Sequence, residues 1–192
     1  NRKLIMKSLL FLLTALVCAP VAHGAILINV PVNKSIPDGD LAGLTSSATV
    51  SGASGTVQSL QVNLTIQGTY NGDLYAYLSH GTGLSVLLNR PGRTATDGLG
   101  YADPGLSVTF SDTALVDIHN YGGTGGSTLN GTFQPDGRYA LPGDVLATTP
   151  RTALLSSFGG MDPNGDWVLF VADAQGGDLH QLINWDLEVT VV

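Results

Sequence analysis

Chemistry in this chain has to come from aspartates and histidines. Fourteen of its fifteen acidic residues are Asp and only Glu188 is Glu. Carboxylates and loop carbonyls are the oxygen ligands that hard Ca²⁺ takes, six to eight at a time. The turn carboxylates Asp73, Asp112, Asp173 and Asp178 are the metal candidates, with calcium as the expected ion. Asp162-x-Asn164-x-Asp166 begins like a calcium loop, but the glycine at loop position six and the closing glutamate are missing, so it reads as a turn. Beyond residue 24 the histidines are His80, His119 and His180, too scattered for HExxH spacing. No Gly-x-Ser-x-Gly elbow occurs. No catalytic residue is therefore assigned. Paired aspartates working as general acid and base remain as an alternative, with no particular pair singled out.

Composition narrows the class further. Residues 1–24 read as a cleaved secretory leader. Lys7 supplies the positive start, Leu9 to Val17 the apolar stretch, and Ala22-His23-Gly24 the small residues at a cleavage site. Residues 1–5 would lie upstream of the true start. That stretch is too short to span a membrane, which takes roughly 20 apolar residues. The remaining 25–192 has the size of one domain with its own core. It holds no cysteine, so neither disulfides nor thiol chemistry are available. Five basic residues (Lys34, Arg90, Arg93, Arg138, Arg151) face fifteen acidic ones, a net charge of −10. Such a domain is repelled by nucleic acid and by anionic membranes. Asp bends and caps loops where Glu favours helix, so Asp-rich, Gly-rich composition argues for an all-β fold.

The elements that must position these residues follow from alternation. Leu44 to Ser51 reads as a short strand after an apolar lead-in, Ala25 to Val32. Leu60, Val62, Leu64 and Ile66 alternate with polar residues, as a half-buried strand does. Asn71-Gly72 is a tight-turn signal, which predicts a hairpin onto Leu74 to His80, with Ser85 to Asn89 as third member of a meander. Leu106, Val108 and Phe110 make another strand. Residues 90–104, 119–131 and 133–157 read as long loops, the second Gly-rich and free of the Lys and helix that a phosphate loop needs. Trp167 to Val171 reads as a buried strand, and Trp185, Leu187, Val189 and Val191 close the chain on a period of two. Eight or nine short strands with turns between them predict a jelly-roll-like β-sandwich.

The C-terminal stretch carries a resemblance. Asn164-Gly165-x-Trp167-x-Leu169-x-x-x-Asp173, then Gly177-Asp178-Leu179 and Leu182-x-x-Trp185-x-Leu187, is similar to the end of the P domain (Homo B domain) of proprotein convertases. Ile36-Pro37-Asp38 with Gly43-Leu44-Thr45-Ser46-Ser47 resembles that family's entry strand. Tyr70-Asn71-Gly72-Asp73-Leu74 resembles its Tyr-x-Gly-Asp-Leu. Phe110-Ser111-Asp112-Thr113-Ala114 resembles its Phe-x-Asp-x-Ala, and Leu155-Ser156-Ser157-Phe158-Gly159 its Leu-Ser-x-Phe-x-Gly. The chain departs from the pattern at Asp178-Leu179-His180-Gln181-Leu182, where the family often has Asp-x-Gly-x-Leu. His80-Gly81-Thr82 matches the His-Gly-Thr of subtilisin-like proteases, but no nucleophile motif follows it, so His80 reads as a turn residue.

The resemblance implies a non-catalytic module that stabilises or regulates a neighbouring protease. It also looks like the stand-alone type in exported bacterial proteins that end in a Pro-Glu-Pro sorting tail, which would lie beyond Val192. The leading expectation is a secreted β-sandwich module that binds protein or extracellular polysaccharide. Tyr75 and Tyr77 alternate with Leu74, Ala76 and Leu78, so they form its candidate binding face, either open or packed under residues 90–104. The alternative is a domain that serves a subtilisin-like serine endopeptidase, and a third is an Asp-dependent hydrolase.

Overall fold

The computed structural model describes residues 24–192. The leader expected over residues 1–24 therefore lies outside the described residues, except Gly24, which opens the first strand. Among the described residues, nine strands form two sheets packed face to face. They are β1 Gly24–Ile36, β2 Leu44–Val50, β3 Val57–Gln67, β4 Leu74–His80, β5 Gly83–Asn89, β6 Leu106–Phe110, β7 Leu129–Phe133, β8 Gly165–Asp173 and β9 His180–Val191. The five-stranded sheet runs β1-β9-β3-β6-β7 and the four-stranded sheet β2-β8-β4-β5. All neighbours are antiparallel except β6 and β7. The expected β-sandwich is therefore what the chain forms.

The core lies between the sheets because each strand puts alternate residues inward. From the larger sheet come Val62, Leu64, Ile66, Val108, Phe110, Trp185, Leu187 and Val189. Leu74, Ala76, Leu78, Trp167, Leu169 and Val171 meet them from the smaller one. Both tryptophans are fully buried, and each indole N–H finds an oxygen, as buried Trp requires. Trp167 donates to the Pro163 carbonyl at 3.0 Å, and Trp185 reaches across the sandwich to Ser46 Oγ at 2.9 Å.

Three expectations need correction. Ala25 to Val32 is not a lead-in but most of β1, whose Ile26, Ile28, Val30 and Val32 pack on the core from the sheet edge. Asn71-Gly72 does not turn a hairpin. Asn71–Asp73 is a buried 3-10 turn that carries the chain from one sheet to the other, so β3 pairs with β6 and β9 while β4 pairs with β5 and β8. Of the predicted meander, only β4–β5 stands. Finally, β9 starts five residues before Trp185. Thr65 pairs with Asn184 and Ile66 with Leu182, so Ile183 is an extra residue and the inward phase shifts there. Leu182 and Trp185 are both buried on the same side, which breaks the period of two.

Candidate functional site: an aromatic sheet face and buried charge knots

Tyr75 and Tyr77 sit on the outer face of the smaller sheet, as alternation predicts. Outward on the same face stand Val168 and Phe170 from β8, Thr45, Ser47 and Thr49 from β2, and Ser79 from β4. Asp166, at the start of β8, brings a charge to this face, where it accepts from the Thr49 hydroxyl at 2.6 Å. Tyr77 lies directly opposite Phe170 in the ladder. Their ring centroids are 4.9 Å apart and nearly parallel at 20°. That separation is the spacing of neighbouring strands, about 4.8 Å, so the two rings stand upright side by side with their faces against each other. Tyr75 leans on both, at 6.0 Å from Tyr77 and 6.2 Å from Phe170.

Gly43 makes room for the Phe170 ring. A Cβ there would lie 2.6 Å from it and 2.5 Å from the Val171 carbonyl, and φ is +57°. At the other side Tyr75 lines a shallow cleft with Tyr139, Ala140 and Leu141, where Tyr139 and Leu141 are 68% and 71% exposed. The segment beside Tyr75 is thus residues 139–141 rather than 90–104. Burial, with Tyr77 and Tyr139 nearby, raises the Tyr75 phenol above its ordinary value, so that phenol stays neutral.

Of the four metal-candidate aspartates, Asp73, Asp173 and Asp178 lie near enough for their charges to act on one another, but not as one ligand cluster. Asp112 is apart from the other three. Its two oxygens accept from the Leu155 and Ser156 amides, at 3.1 and 2.7 Å, and so cap the 3-10 turn Leu155–Phe158. Asp173 accepts from His180 Nδ1 at 2.8 Å and from the Gln175 amide at 3.0 Å. Asp178 accepts from the Thr69 hydroxyl at 2.7 Å. Asp73 is buried beside Arg90, 3.5 Å away. Burial pushes its carboxyl up to about 6. Arg90 pulls the other way, and the Asp173 and Asp178 charges add to the rise. The Arg90 guanidinium also donates to the Gly72 and Gly98 carbonyls. Among the described residues, no group of three or more His, Cys, Asp or Glu side chains is placed to hold a metal ion.

Sequence reasoning overlooked the role of the histidines. All three are buried, and in each both ring nitrogens lie near protein oxygens. His80 stacks on Trp167 at 4.0 Å and 4°, with its nitrogens 2.9 and 2.8 Å from the Asp166 and Asp162 carbonyls. It bolts the β4–β5 turn to the 162–166 turn. His180 bridges Asp173 and the Tyr70 carbonyl, 3.0 Å from Nε2. Gly68 leaves the space for that ring, since a Cβ there would lie 2.0 Å from it. His119 bridges Asp136, 2.8 Å from Nδ1, and the Arg93 carbonyl, 2.9 Å from Nε2. Two Asp–His pairs thus exist, yet each places the second nitrogen against a carbonyl rather than a substrate or a serine. An Asp with a His seven or seventeen residues away in a loop was the available signal, and it is too common to have carried weight.

Around His119 a larger knot forms. Arg138, nearly fully buried, pairs with Asp117 at 2.7 Å and with Asp136 at 3.2 Å. Arg151 donates to the Gln134 side chain at 2.7 Å and to the Pro135 carbonyl at 2.8 Å. The Gly-rich stretch is not a free loop. Asp103 accepts from the Tyr121 hydroxyl and from the Thr124 and Gly126 amides. Burial opposes it, but those bonds prevail and hold the carboxyl below its ordinary value.

No protein-family model matches the chain, and no curated protein matches it either. Among solved structures it is similar in fold to the serine protease of Aeromonas sobria, at 16% identity and a TM-score of 0.53, over 90% of this chain and 28% of that one. The complex of the Aeromonas sobria serine protease and the chaperone gives 16% and 0.50, over 89% and 27%. The chain spans little more than a quarter of the length of the structures it matches. No helix among the described residues is long and apolar enough to cross a membrane.

Proposed function

We propose that this chain is a non-catalytic, P-domain-like module that acts outside the cytoplasm by docking onto a protein, a subtilisin-like serine protease. The observation that carries the reading is the aromatic cluster of Phe170, Tyr77 and Tyr75 on the outer face, with the charged Asp166 set at the start of β8 beside Thr49. A sugar stacks on a ring whose face is open to solvent. Here Tyr77 and Phe170 spend faces on each other and offer edges, which suits apolar and edge-on aromatic contact with a protein surface. The fold likeness to about a quarter of a serine protease supports the choice of partner. So do the sequence motifs shared with convertase P domains. Export rests on the leader-like residues 1–24. The histidines support the non-catalytic reading, because both nitrogens of each are already engaged by the fold.

A photo-crosslinking residue at Ser47, on the exposed side of this face, tests the proposal in the full chain expressed in its own host. The expected product is a covalent adduct that also takes a fluorophosphonate, a reagent for active serines. The pair Tyr75→Ser and Phe170→Ser should abolish it while melting stays cooperative. Three results overturn the reading: no adduct, an adduct that the fluorophosphonate leaves unlabelled, or one indifferent to the two substitutions. Glycan binding lost in Tyr75→Ala with Tyr77→Ala would instead establish the polysaccharide alternative.

A further inference from the structure

His119 stands where three loops meet the end of β5. Its Nδ1 lies 2.8 Å from Asp136 Oδ2 and its Nε2 2.9 Å from the Arg93 carbonyl. Asp136 and Asn89 in turn anchor residues 136–140. The Asn89 amide N–H reaches the Asp136 carboxylate at 3.2 Å, and its side-chain NH₂ donates to the Arg138 and Ala140 carbonyls, both at 3.0 Å. Arg93 ties its own segment to the Val145 carbonyl. A neutral imidazole has one N–H, so it can serve Asp136 or Arg93 but not both. Asn89 Oδ1, buried in the same knot, has no protein hydrogen-bond donor.

We propose that His119 is a pH-sensitive clasp: as imidazolium it holds segments 90–104 and 134–151 against the end of β5, and on losing its proton it releases one of them, loosening the Tyr139–Leu141 border of the aromatic face. The charges around the ring agree. Asp136 faces it directly, Asp117 precedes it on its own turn, and Arg138 and Arg151 neutralise Asp117. Arg93 offers the ring its carbonyl, and its guanidinium is turned to Val145. Burial disfavours the charged ring and so does Arg138. The hydrogen bond and charge of Asp136, with the Arg93 carbonyl, outweigh them and raise the pKa above the ordinary imidazole value. The clasp is therefore closed under acidic conditions and opens as pH rises through that raised pKa.

The part about the aromatic border rests on the docking proposal, but the clasp can be tested alone. Amide exchange of the full chain is followed at about pH 5.5 and about pH 8, corrected for intrinsic rates, spanning the range in which imidazole changes charge. Protection in 90–104 or in 134–151, whichever segment loses its hydrogen bond, should fall about tenfold or more relative to β3 and β9, one pKa unit being tenfold in the equilibrium. His119→Gln should make the ratio independent of pH. Should that variant not fold, the ¹⁵N imidazole signals of the unaltered protein replace it, and His119 must titrate in step with the loss of protection. Loop protection that does not change with pH, or that changes while His119 keeps one protonation state, overturns the clasp. Adduct yield at Ser47 reports the docking proposal independently. Loops that open with pH in a chain that forms no adduct sink docking and leave the clasp. An adduct formed by a chain whose loops never open does the reverse.

Discussion

Replacing Trp185 by Phe, alone and with Ser46→Ala, isolates the bolt between the two sheets. Trp185 on β9 is completely buried, and its N–H crosses to Ser46 Oγ on β2 at 2.9 Å. Phe keeps one ring in the core but removes the other. Of the roughly 150–250 Å² that an aromatic side chain buries, about 40 Å² is lost, or about 1 kcal/mol of transfer free energy. A residual void of about 35 Å³ costs about 0.8 kcal/mol more, and the lost hydrogen bond about 1 kcal/mol. The sum is about 3 kcal/mol, which for a domain this size lowers Tm by about 6–12 °C. Denaturant melts of the two single variants and the double variant give the coupling between them. It should be about 1 kcal/mol, since each single change strips a partner from the other group. A Trp185→Phe loss under about 1 kcal/mol, or a coupling of zero, would refute the claim that this hydrogen bond and ring fasten the sheets.

Stability should have a maximum in mildly acidic solution. Asp73, raised to about 6, and His119, also raised, bind protons more tightly folded than unfolded, so their contribution is lost as pH climbs through those values. Asp103 and Asp117 are held low, so theirs is lost as pH falls below the ordinary carboxylate range. Urea midpoints across pH read the result, and a maximum above neutrality would contradict it. Gly68→Ala drives a methyl into the His180 ring and should cost at least about 2 kcal/mol, whereas Gly98→Ala, which meets nothing, should change melting little. Calcium is decided by melting curves in Ca²⁺ and in EDTA. One ion at a hundred times its Kd adds about 2.7 kcal/mol, while coincident curves leave the four aspartates to the donors that already hold them.

The fold class was legible because burying one face of each strand imposes a period of two, and Leu60–Ile66, Leu74–Leu78, Leu106–Phe110 and Trp185–Val191 all keep it. The aromatic face followed from the same rule, since Tyr75 and Tyr77 had to point away from Leu74 and Ala76. Local pattern does not say which strand a strand pairs with. Asn71-Gly72 has the chemistry of a hairpin turn, and only the competition of β9 and β6 for β3 sends β4 into the other sheet. Nor does it register an inserted residue such as Ile183, because the ladder it bulges from is built by segments more than a hundred positions away. The aspartates illustrate the same limit. Their number and turn positions were visible, yet whether a carboxylate faces a metal, an arginine or a histidine depends on loops brought together last. The ring packing of Tyr77 on Phe170 and the bonds of His119 to residues 93 and 136 are properties of neighbours in space. Sequence spacing determined which side chains face out or in; the tertiary packing alone decided what each of them meets there.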